Sequence, residues 1–358
     1  MQLHLVLPGL LWPDKIFHDA VFDLDLPALA WLLGRGHLAW QPPCAPEAAL
    51  CQAFGIDDEQ PPYAALRRLG EQSADADANA ADQHTDHYWI CADPVHLSIE
   101  KRRMTLGENT APASSEELQA IAAALQPLLA ECEYADTLGI RAFHPAAAGH
   151  AYLQLARLPA IDTTPPSLAS GYESLQPQGA EAGPWRRLLN HVQMLLHALP
   201  CNAQRSARNL PPLNSLWLWG AGRLPASNPT ALDCTAAHGD HPLLAGLARW
   251  GGIPHQANLP TSPAALLATG NGGKHLLLLD HLHAAARRYD MLQWRDTLQT
   301  LERDWLQPLQ QAVADGRLQQ LRISALGDEA RLDIRLTHHS RWQFWRRPLP
   351  PHRLVQPC

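Results

Sequence analysis

The sequence predicts an α/β protein in which one sheet is covered by helices on both faces and a smaller α+β domain is inserted in the chain. Strand and helix patterns alternate at both ends of the 358-residue chain, which is typical of a sheet enclosed by helices. Short strand patterns also cluster around residues 88–160 and indicate a second, smaller sheet. A chain of this length can bury one large core or two moderate ones.

The N-terminal part opens on a buried strand. Leu3–Leu7 is apolar except for His4, and Pro8-Gly9 ends it. Three helices are predicted next from their apolar positions, and glycines stop the first two. Their ranges are Pro27–Arg35, Pro46–Phe54 and Tyr63–Leu69. We assign residues 1–72 to the core domain.

The middle of the chain predicts the inserted domain, over residues 88–183. A polar run without apolar periodicity precedes it and predicts a flexible, exposed linker over 73–87. Hydroxyl and carboxylate residues from Ser114 to Glu117 predict the start of a helix that runs to about Cys132. The predicted strand segments are Tyr88–Ala92, Val95–Ile99, Gly139–Phe143 and Ala151–Leu155.

The C-terminal half returns to alternating elements. An apolar stripe predicts a connecting helix over 184–199, an irregular stretch follows over 200–212, and residues 200–358 complete the core domain. The predicted elements of this part are the strand Ser215–Trp219, the helix Pro242–Trp250, the strand Lys274–Asp280, the helix Leu292–Asp315 and the strands Gln320–Ala325 and Ala330–Leu336.

Composition and charge exclude several classes of function. The net charge of −7 argues against an electrostatic grip on nucleic acid. No apolar run approaches the ~20 residues that span a membrane, so we expect no membrane partner. The seven cysteines are scattered and odd in number, and none forms a C-x-x-C pair. This pattern indicates reduced thiols and a cytoplasmic location.

The C-terminal segment Arg341–Arg347 mixes cations with aromatic residues. Such a mixture can stack on nucleic acid bases, or it can form an edge strand whose aromatic side chains alternate inward. The negative net charge favours the edge strand.

The most informative segment runs from Asn214 to Arg223. Apolar residues predict a buried strand, and Gly220 and Gly222 allow a sharp turn where a ligand can approach the backbone. Arg223 could then pair with a phosphate or carboxylate. The alternative is a plain strand and turn with a solvated arginine, which the residue types alone favour. A lone G-x-G lacks the rest of the dinucleotide fingerprint.

The pattern N-x-x-W-L-W-G-x-G-x-x-P, from Asn214 to Pro225, resembles a signature of the archaeal-type cofactor-independent phosphoglycerate mutases, which belong to the alkaline phosphatase superfamily. Other segments resemble the same family in the same order along the chain: Leu26–Ala30, Leu50–Asp57, Met104–Leu118, Phe143–Tyr152 and Asp304–Leu309. The resemblance implies an alkaline-phosphatase-like, mostly parallel sheet with an inserted domain.

The departures from that family concern its chemistry, which needs two metal ions and a nucleophilic hydroxyl. Pro8 stands where the resemblance implies a metal-binding aspartate, and Pro46 stands where it implies the nucleophile. His283 and Arg287 lie roughly where an Asp…His pair is expected, and Leu321–Asp333 offers no clear partner for the later pair. The resemblance therefore implies a degenerate bacterial member with no catalytic residues, no metal and no cofactor.

Several histidines offer alternatives to that interpretation. His281 and His283 after Asp280 could form half of a metal site, as could His338-His339 and the pair His84 and His87. Polar strand ends and loops explain each of them more simply, because no H-E-x-x-H or C-x-x-C pattern supports a metal.

Three hypotheses about function follow. The first is a catalytically degenerate binding or regulatory protein, similar in general pattern to bacterial RpfE-type regulators. The second is an active mutase or phosphatase with rearranged ligands, and the third is another enzyme that uses the same cleft without metal. We favour the first, with a small phosphorylated metabolite or a protein as partner. The predicted ligand-binding residues are Arg141, His150, Asn214, Gly220, Gly222 and Arg223.

Overall fold

The computed structural model describes residues 1–12, 14–72, 87–100, 103–106, 111–131, 133–146, 149–169, 176–226, 232, 234–268 and 272–354. The chain divides into two compact units. The first unit comprises Met1–Ile56 and Pro229–Cys358, and the second comprises Asp57–Asn228. The predicted linker over 73–87 lies outside the described residues except for His87.

The strands and helices are numbered in chain order. The strands are β1 (Gln2–Pro8), β2 (His37–Gln41), β3 (Tyr88–Val95), β4 (Leu97–Glu100), β5 (Arg103–Leu106), β6 (Ile140–Pro145), β7 (Ala151–Leu155), β8 (Ser215–Gly222), β9 (Ala236–His238), β10 (His255–Gln256), β11 (Lys274–Leu278), β12 (Gln320–Leu326) and β13 (Arg331–Thr337). The α-helices are α1 (Asp14–Val21), α2 (Pro27–Arg35), α3 (Pro46–Ala53), α4 (Tyr63–Glu71), α5 (Ser115–Glu131), α6 (Glu133–Leu138), α7 (Pro166–Ala169), α8 (Ala182–His197), α9 (Pro200–Ala207), α10 (Pro242–Trp250), α11 (Ala264–Ala268), α12 (His283–Arg287), α13 (Met291–Leu301) and α14 (Gln307–Ala314).

The first unit is built on a seven-stranded sheet in the order β10-β9-β11-β1-β12-β13-β2. Its strands are parallel except β13, which is antiparallel to both of its neighbours. Helices flank the sheet, so the α/β fold class predicted from the sequence is confirmed. The parallel strands end together at one edge, which we call the carboxyl edge.

The two faces of this sheet have different characters because side chains alternate along each strand. Leu3, Leu5 and Leu7 of β1 are buried in a large apolar core together with residues of α1, α2, α13 and α14. The opposite face carries polar residues such as His4, which lines a cavity together with Gln52 of α3. Burial of each leucine in the core stabilises the fold by about 1.5–3 kcal/mol.

The long helix predicted over 292–315 is interrupted by a π-helical turn, Glu302–Leu306, between α13 and α14. Pro308 lies in the first turn of α14, where its missing N–H and its ring disturb the regular hydrogen-bond pattern. The turn places Glu302 against the start of α2. Its carboxylate oxygens accept hydrogen bonds from the backbone N–H groups of Ala28 (2.5 Å) and Leu29 (3.1 Å).

The second unit contains a four-stranded sheet in the order β6-β7-β3-β8 and a separate β4-β5 hairpin. The four-stranded sheet is antiparallel throughout. Its apolar core includes Ile121 and Leu125 of α5 and Trp185 of α8. Pro94 lies within β3, where β7 pairs only as far as Cys91, so the missing N–H of Pro94 breaks no hydrogen bond on that side.

The domain boundaries observed here differ from the predicted ones. The predicted core domain included residues 57–72 and 200–228, whereas their contacts place them in the second unit. The predicted connecting helix over 184–199 corresponds to α8, which also belongs to the second unit. The reason is β8, which pairs with β3 from Val95↔Ser215 to Trp89↔Gly222. A strand pattern in the sequence does not say which sheet the strand joins.

Two further local predictions were wrong. Residues 200–207 form the helix α9 rather than an irregular segment, with Pro200 in its first turn, a position that proline favours. The C-terminal segment is not an edge strand: a 3₁₀ helix covers His338–Trp342. Trp342, Phe344 and Trp345 remain 60%, 79% and 67% exposed.

Candidate functional site

Ligands usually bind at the carboxyl edge of the sheet in parallel α/β proteins. The two prolines singled out in the sequence belong to β1 and α3 of this unit. Pro8 is the last residue of β1, and Pro46 is in the first turn of α3, after Ala45 at the N-cap. Gly9 follows with φ of +77°, and a Cβ there would lie 3.0 Å from the Cα of His283. The chain of α12 thus closes directly over the end of β1.

His283, which lies at this edge, is held neutral by its surroundings. Burial, Arg287 and His241 together lower the pKa of His283 to about 4. The Nδ1 atom of His241 accepts a hydrogen bond from the backbone N–H of Leu243 at 3.2 Å, which caps α10. His283 is therefore neutral at pH 7.

The resemblance implies two metal ions at this edge, which would need several donor side chains close together. Within the described ranges, no group of three or more His, Cys, Asp or Glu side chains could hold a metal ion. Pro8 contributes no donor atom, and Arg287 places a cation close to His283. The donor set therefore does not fit a two-metal centre.

Cys44 precedes α3 and is the nearest alternative to a hydroxyl nucleophile. Its Sγ lies 3.8 Å from Nη1 of Arg331. Burial nonetheless raises the pKa of the Cys44 thiol, although Arg331 opposes the shift. An activated cysteine needs a lowered pKa, so Cys44 is not poised for nucleophilic attack.

The residues predicted to bind a ligand all belong to the second unit, and several have structural partners there. The Asn214 side chain accepts a hydrogen bond from the Leu97 N–H at 2.7 Å and donates one to the Leu97 carbonyl at 2.8 Å. Gly220 and Gly222 lie within β8, and a Cβ at either would come within 2.7 Å of Tyr63 or Pro62. The close approach at these glycines is to the start of α4.

The charged residues predicted for the same pocket lie apart on the sheet. Arg141 is exposed on β6, and Arg223 follows β8 with its guanidinium 5.6 Å from the centre of the Tyr88 ring. The strands β6 and β8 form opposite edges of the sheet, separated by three strand spacings or roughly 14 Å. His150 lies elsewhere, with Nδ1 2.5 Å from Oε1 of Glu71.

His150 leads to a buried polar cluster that the sequence did not reveal. We call it the Asp93 network; its members are Arg67, Glu71, Asp93, His150, Tyr152 and Trp219. The two terminal nitrogens of Arg67 donate to the two carboxylate oxygens of Asp93 at 2.8 and 2.7 Å. Trp219 Nε1 donates to Asp93 at 2.8 Å, and the Tyr152 hydroxyl donates to Glu71 at 2.7 Å.

The centre of the Asp93 network is a buried ion pair between Arg67 and Asp93. Burial opposes ionisation of Asp93, but Arg67 overrides it and lowers the pKa of the carboxyl. Burial likewise opposes the charge of Arg67, and Asp93 overrides it and raises the pKa of the guanidinium. The rings of Tyr152 and Trp219 lie 4.8 and 5.1 Å from the guanidinium carbon, so the cation is enclosed.

A second polar cluster lies on the sheet of the first unit. We call it the Asp333 network; its members are His4, Gln52, Arg322, Ser324, Arg331 and Asp333. The Ser324 hydroxyl donates to Asp333 at 2.7 Å. Because that uses its only proton, Ser324 accepts from Nε2 of His4 at 2.9 Å. The hydrogen bonds therefore run from His4 as donor to Ser324, and from Ser324 as donor to Asp333. Because His4 donates to Ser324 and does not accept its proton, the fully buried Ser324 is not arranged as a nucleophile.

Two arginines share the single carboxylate of this network. Arg331 donates to Asp333 at 3.0 and 3.1 Å, and Arg322 donates to it at 3.1 Å. Burial opposes ionisation of Asp333, but Ser324 and the arginines lower the pKa of the carboxyl. Arg331 also donates to Oε1 of Gln52 at 2.7 Å, which ties α3 to the sheet.

A cavity of about 240 Å³ adjoins the Asp333 network. It is lined by the first halves of β1, β11 and β12, by β13 and by the end of α3. Its polar lining includes Gln2, His4, Gln52, Lys274, Arg322 and Arg335. The only sequence signal for this cavity is the polar residue at alternate positions of otherwise apolar strands, which by itself is equally typical of a solvated face.

Comparisons with known proteins agree with the fold. No protein-family model matches the chain, and no curated protein matches it. The structure of the PH0037 protein from Pyrococcus horikoshii is similar, with a TM-score of 0.58 and 15% identity over 97% of this chain and 90% of that chain. A cofactor-independent phosphoglycerate mutase from Thermoplasma acidophilum DSM 1728 matches with a TM-score of 0.47 and 15% identity over 94% of this chain and 89% of that chain.

At 15% identity, the likeness to the PH0037 protein shows the fold alone: a largely parallel α/β sheet flanked by helices, with a second compact unit. In the described part of the chain, none of the helices has the length and apolar character needed to cross a lipid bilayer.

Proposed function

We propose that this chain is a catalytically degenerate relative of the phosphoglycerate mutases, which acts as a binding or regulatory protein and lacks the two-metal phosphoryl-transfer site. The observation that carries the proposal is the position of the two prolines. Pro8 ends β1 and Pro46 opens α3, the places where the resemblance implies a metal ligand and a nucleophile. A pyrrolidine ring supplies neither function.

The surroundings of the carboxyl edge support the same proposal. A divalent cation needs several anionic or neutral donors close together. Here the positive charge of Arg287 helps to lower the pKa of the half-buried His283. The same charge would repel a metal ion bound at His283. Cys44, with a raised thiol pKa, does not replace the missing hydroxyl.

The proposal includes a small phosphorylated metabolite as ligand and a protein as a further partner, in the manner of RpfE-type regulators. The sequence resemblance to the mutases is what favours a phosphorylated ligand. It also defines the reaction whose absence must be tested, which is the interconversion of the phosphoglycerates.

The test is a metal analysis of the purified full chain combined with an assay of 3-phosphoglycerate isomerisation and of phosphate-ester hydrolysis, with Mn²⁺, Zn²⁺ or Mg²⁺ added. We expect no stoichiometric metal and no turnover above buffer. Metal-dependent turnover would contradict the proposal, provided that it also disappears in His283→Gln and Asp280→Asn, since contaminating enzyme would be unaffected by either substitution.

A further inference from the structure

The cavity beside the Asp333 network lies away from the carboxyl edge. It reaches Gln2 and His4 at the start of β1, whereas Pro8 ends that strand. Pro8 lies four positions after His4 along the strand, a distance of roughly 13 Å. The cavity is therefore a separate place from the edge at which the sequence resemblance would put phosphoryl transfer.

Its charges are concentrated and of one sign. Lys274, Arg322 and Arg335 line it, and among the lining residues that the structure describes there is no aspartate or glutamate, although the whole chain carries a net charge of −7. The strand register places Arg322 directly opposite Arg335. Facing residues on neighbouring strands have Cβ atoms about 5 Å apart, and like charges in that arrangement destabilise a sheet.

The protein compensates this cationic pair only in part. Asp333 accepts a hydrogen bond from Arg322 at 3.1 Å, but it also forms an ion pair with Arg331 at 3.0 Å. The side chain of Arg335 is exposed and makes no hydrogen bond or ion pair with any residue that the structure describes. Nε of Arg322 is buried, and it too has no hydrogen-bond partner among those residues.

We propose that this cavity binds a compact phosphate monoester, which Arg322 and Arg335 hold through its phosphate group with Lys274 beside them. Guanidinium groups donate paired hydrogen bonds to phosphate oxygens, and a dianion balances the excess positive charge. The amides of Gln2 and Gln52 face the same space and would bind the rest of the ligand. The volume of about 240 Å³ is below the ~300–1,000 Å³ typical of drug-sized ligands, so the ligand is small.

The inference rests on the proposed function, because it names the ligand of the binding protein and the place where it binds. The experiment uses the full chain and inorganic phosphate as the probe. Calorimetric titration and thermal unfolding are measured at constant ionic strength balanced with NaCl, because phosphate and sulfate stabilise any folded protein when they are abundant. The test variant is Arg335→Gln. Its control is Arg303→Gln, which removes the same charge from an arginine whose side chain is 68% exposed on the π-helical turn.

We expect saturable phosphate binding by the natural chain and by Arg303→Gln, and an affinity roughly tenfold or more lower for Arg335→Gln, since a charge-assisted hydrogen bond is lost. Without phosphate, Arg335→Gln should unfold at the same or a higher temperature, because a repulsive pair has been removed. This second readout separates a binding defect from a folding defect. Lys274→Gln is an independent variant, for which we expect weaker binding as well.

Equal phosphate affinity in Arg335→Gln and the natural chain would overturn the inference. So would stabilisation by phosphate that never saturates and is equal in all variants. Either result together with absent turnover leaves the proposed function standing. Metal-dependent mutase activity together with an effect of Arg335→Gln on binding would overturn the proposed function and keep the cavity as an anion site.

Discussion

Each unit buries an arginine–aspartate pair, and the two pairs differ in the balance of charge around them. In the Asp93 network, one arginine, Arg67, meets the carboxylate of Asp93. Its Nε donates to the Tyr152 hydroxyl, which in turn donates to Glu71, and His150 lies against Glu71. In the Asp333 network, one carboxylate meets two arginines.

The surroundings of the two pairs differ as well. The side chains of Arg67 and Asp93 are 4% and 11% exposed and are enclosed by aromatic rings, whereas Arg322 is 26% exposed and lines a cavity. In the first network the charges of Arg67 and Asp93 balance each other, so we assign it a role in stabilising the fold of its unit. In the second network, two arginines share one carboxylate. An excess of positive charge of this kind favours the binding of an anion.

The largest expected effect is that of Asp93→Asn. It leaves the enclosed Arg67 without its counter-charge, and breaking a buried pair in this way costs about 3–5 kcal/mol of unfolding free energy. Urea unfolding followed by tryptophan fluorescence measures the loss, because Trp219 donates to Asp93. Asp136→Asn, the same change at an exposed position of α6, should shift stability by less than about 0.5 kcal/mol.

If the two variants prove equally stable, the buried Arg67–Asp93 ion pair does not stabilise the fold. A large loss confined to Asp93→Asn supports the assignment of its charges to folding.

Asp333→Asn should have a smaller effect, about 2–3 kcal/mol, because water can reach Arg322 through the cavity. It should also tighten phosphate binding, since the carboxylate that accepts a hydrogen bond from Arg322 is neutralised. Phosphate at saturating concentration should therefore raise the melting temperature of Asp333→Asn by more than that of the natural chain. No corresponding rescue should occur for Asp93→Asn, and a rescue of both would erase the distinction between the networks.

Gly222→Ala tests the packing of β8 against the start of α4. This packing brings Trp219 of β8 close to Arg67 of α4. The new Cβ would lie 2.5 Å from the Cβ of Pro62, and overpacking of this kind costs about 1–3 kcal/mol. Gly183→Ala is the matched control, because no atom lies within 4 Å of its Cβ position. It should be neutral or slightly stabilising within its helix. Equal stability of the two variants would show that β8 can move away from α4.

The smallest effect concerns pH. The pKa of His283 in the folded chain is about 4, below the ordinary 6.5, so the unfolded chain takes up the proton first as the pH falls. Stability is then lost between pH 6.5 and 4, by about 1 kcal/mol at pH 5 for a partly hydrated ring. His283→Gln should remove that loss in thermal unfolding measured at pH 7.5 and pH 5.

The corresponding change in the second unit, His144→Gln, is the comparison. Burial also lowers the pKa of His144, with Gln154 opposing the shift. We expect the pH dependence of stability to change less than in His283→Gln. Both aspartates of the networks have lowered pKa values, so their contribution is present above about pH 4 and is lost only in stronger acid. The two histidine variants should leave it unchanged.

By itself the sequence determined the fold class and most of the longer elements. Leu3–Leu7 is apolar enough that only a buried strand fits it, and Pro27 with Gly36 brackets a helix that the structure gives with the same bounds. Local pattern sufficed in these cases because burial of one face is the main stabilising term and leaves a period in the sequence. The same reasoning placed Pro8 at the end of a strand and Pro46 at the start of a helix.

Tertiary structure decided the membership of β8, the pairing of the short strand β2, and both charge networks. Arg67 is 26 positions from Asp93, Arg322 is 11 from Asp333, and His4 is 320 from Ser324. The sequence records no such partnership, because a polar residue at an alternate strand position looks the same whether it meets water or another charge. Which charges meet depends on strand order and register, and these follow from how the whole chain folds.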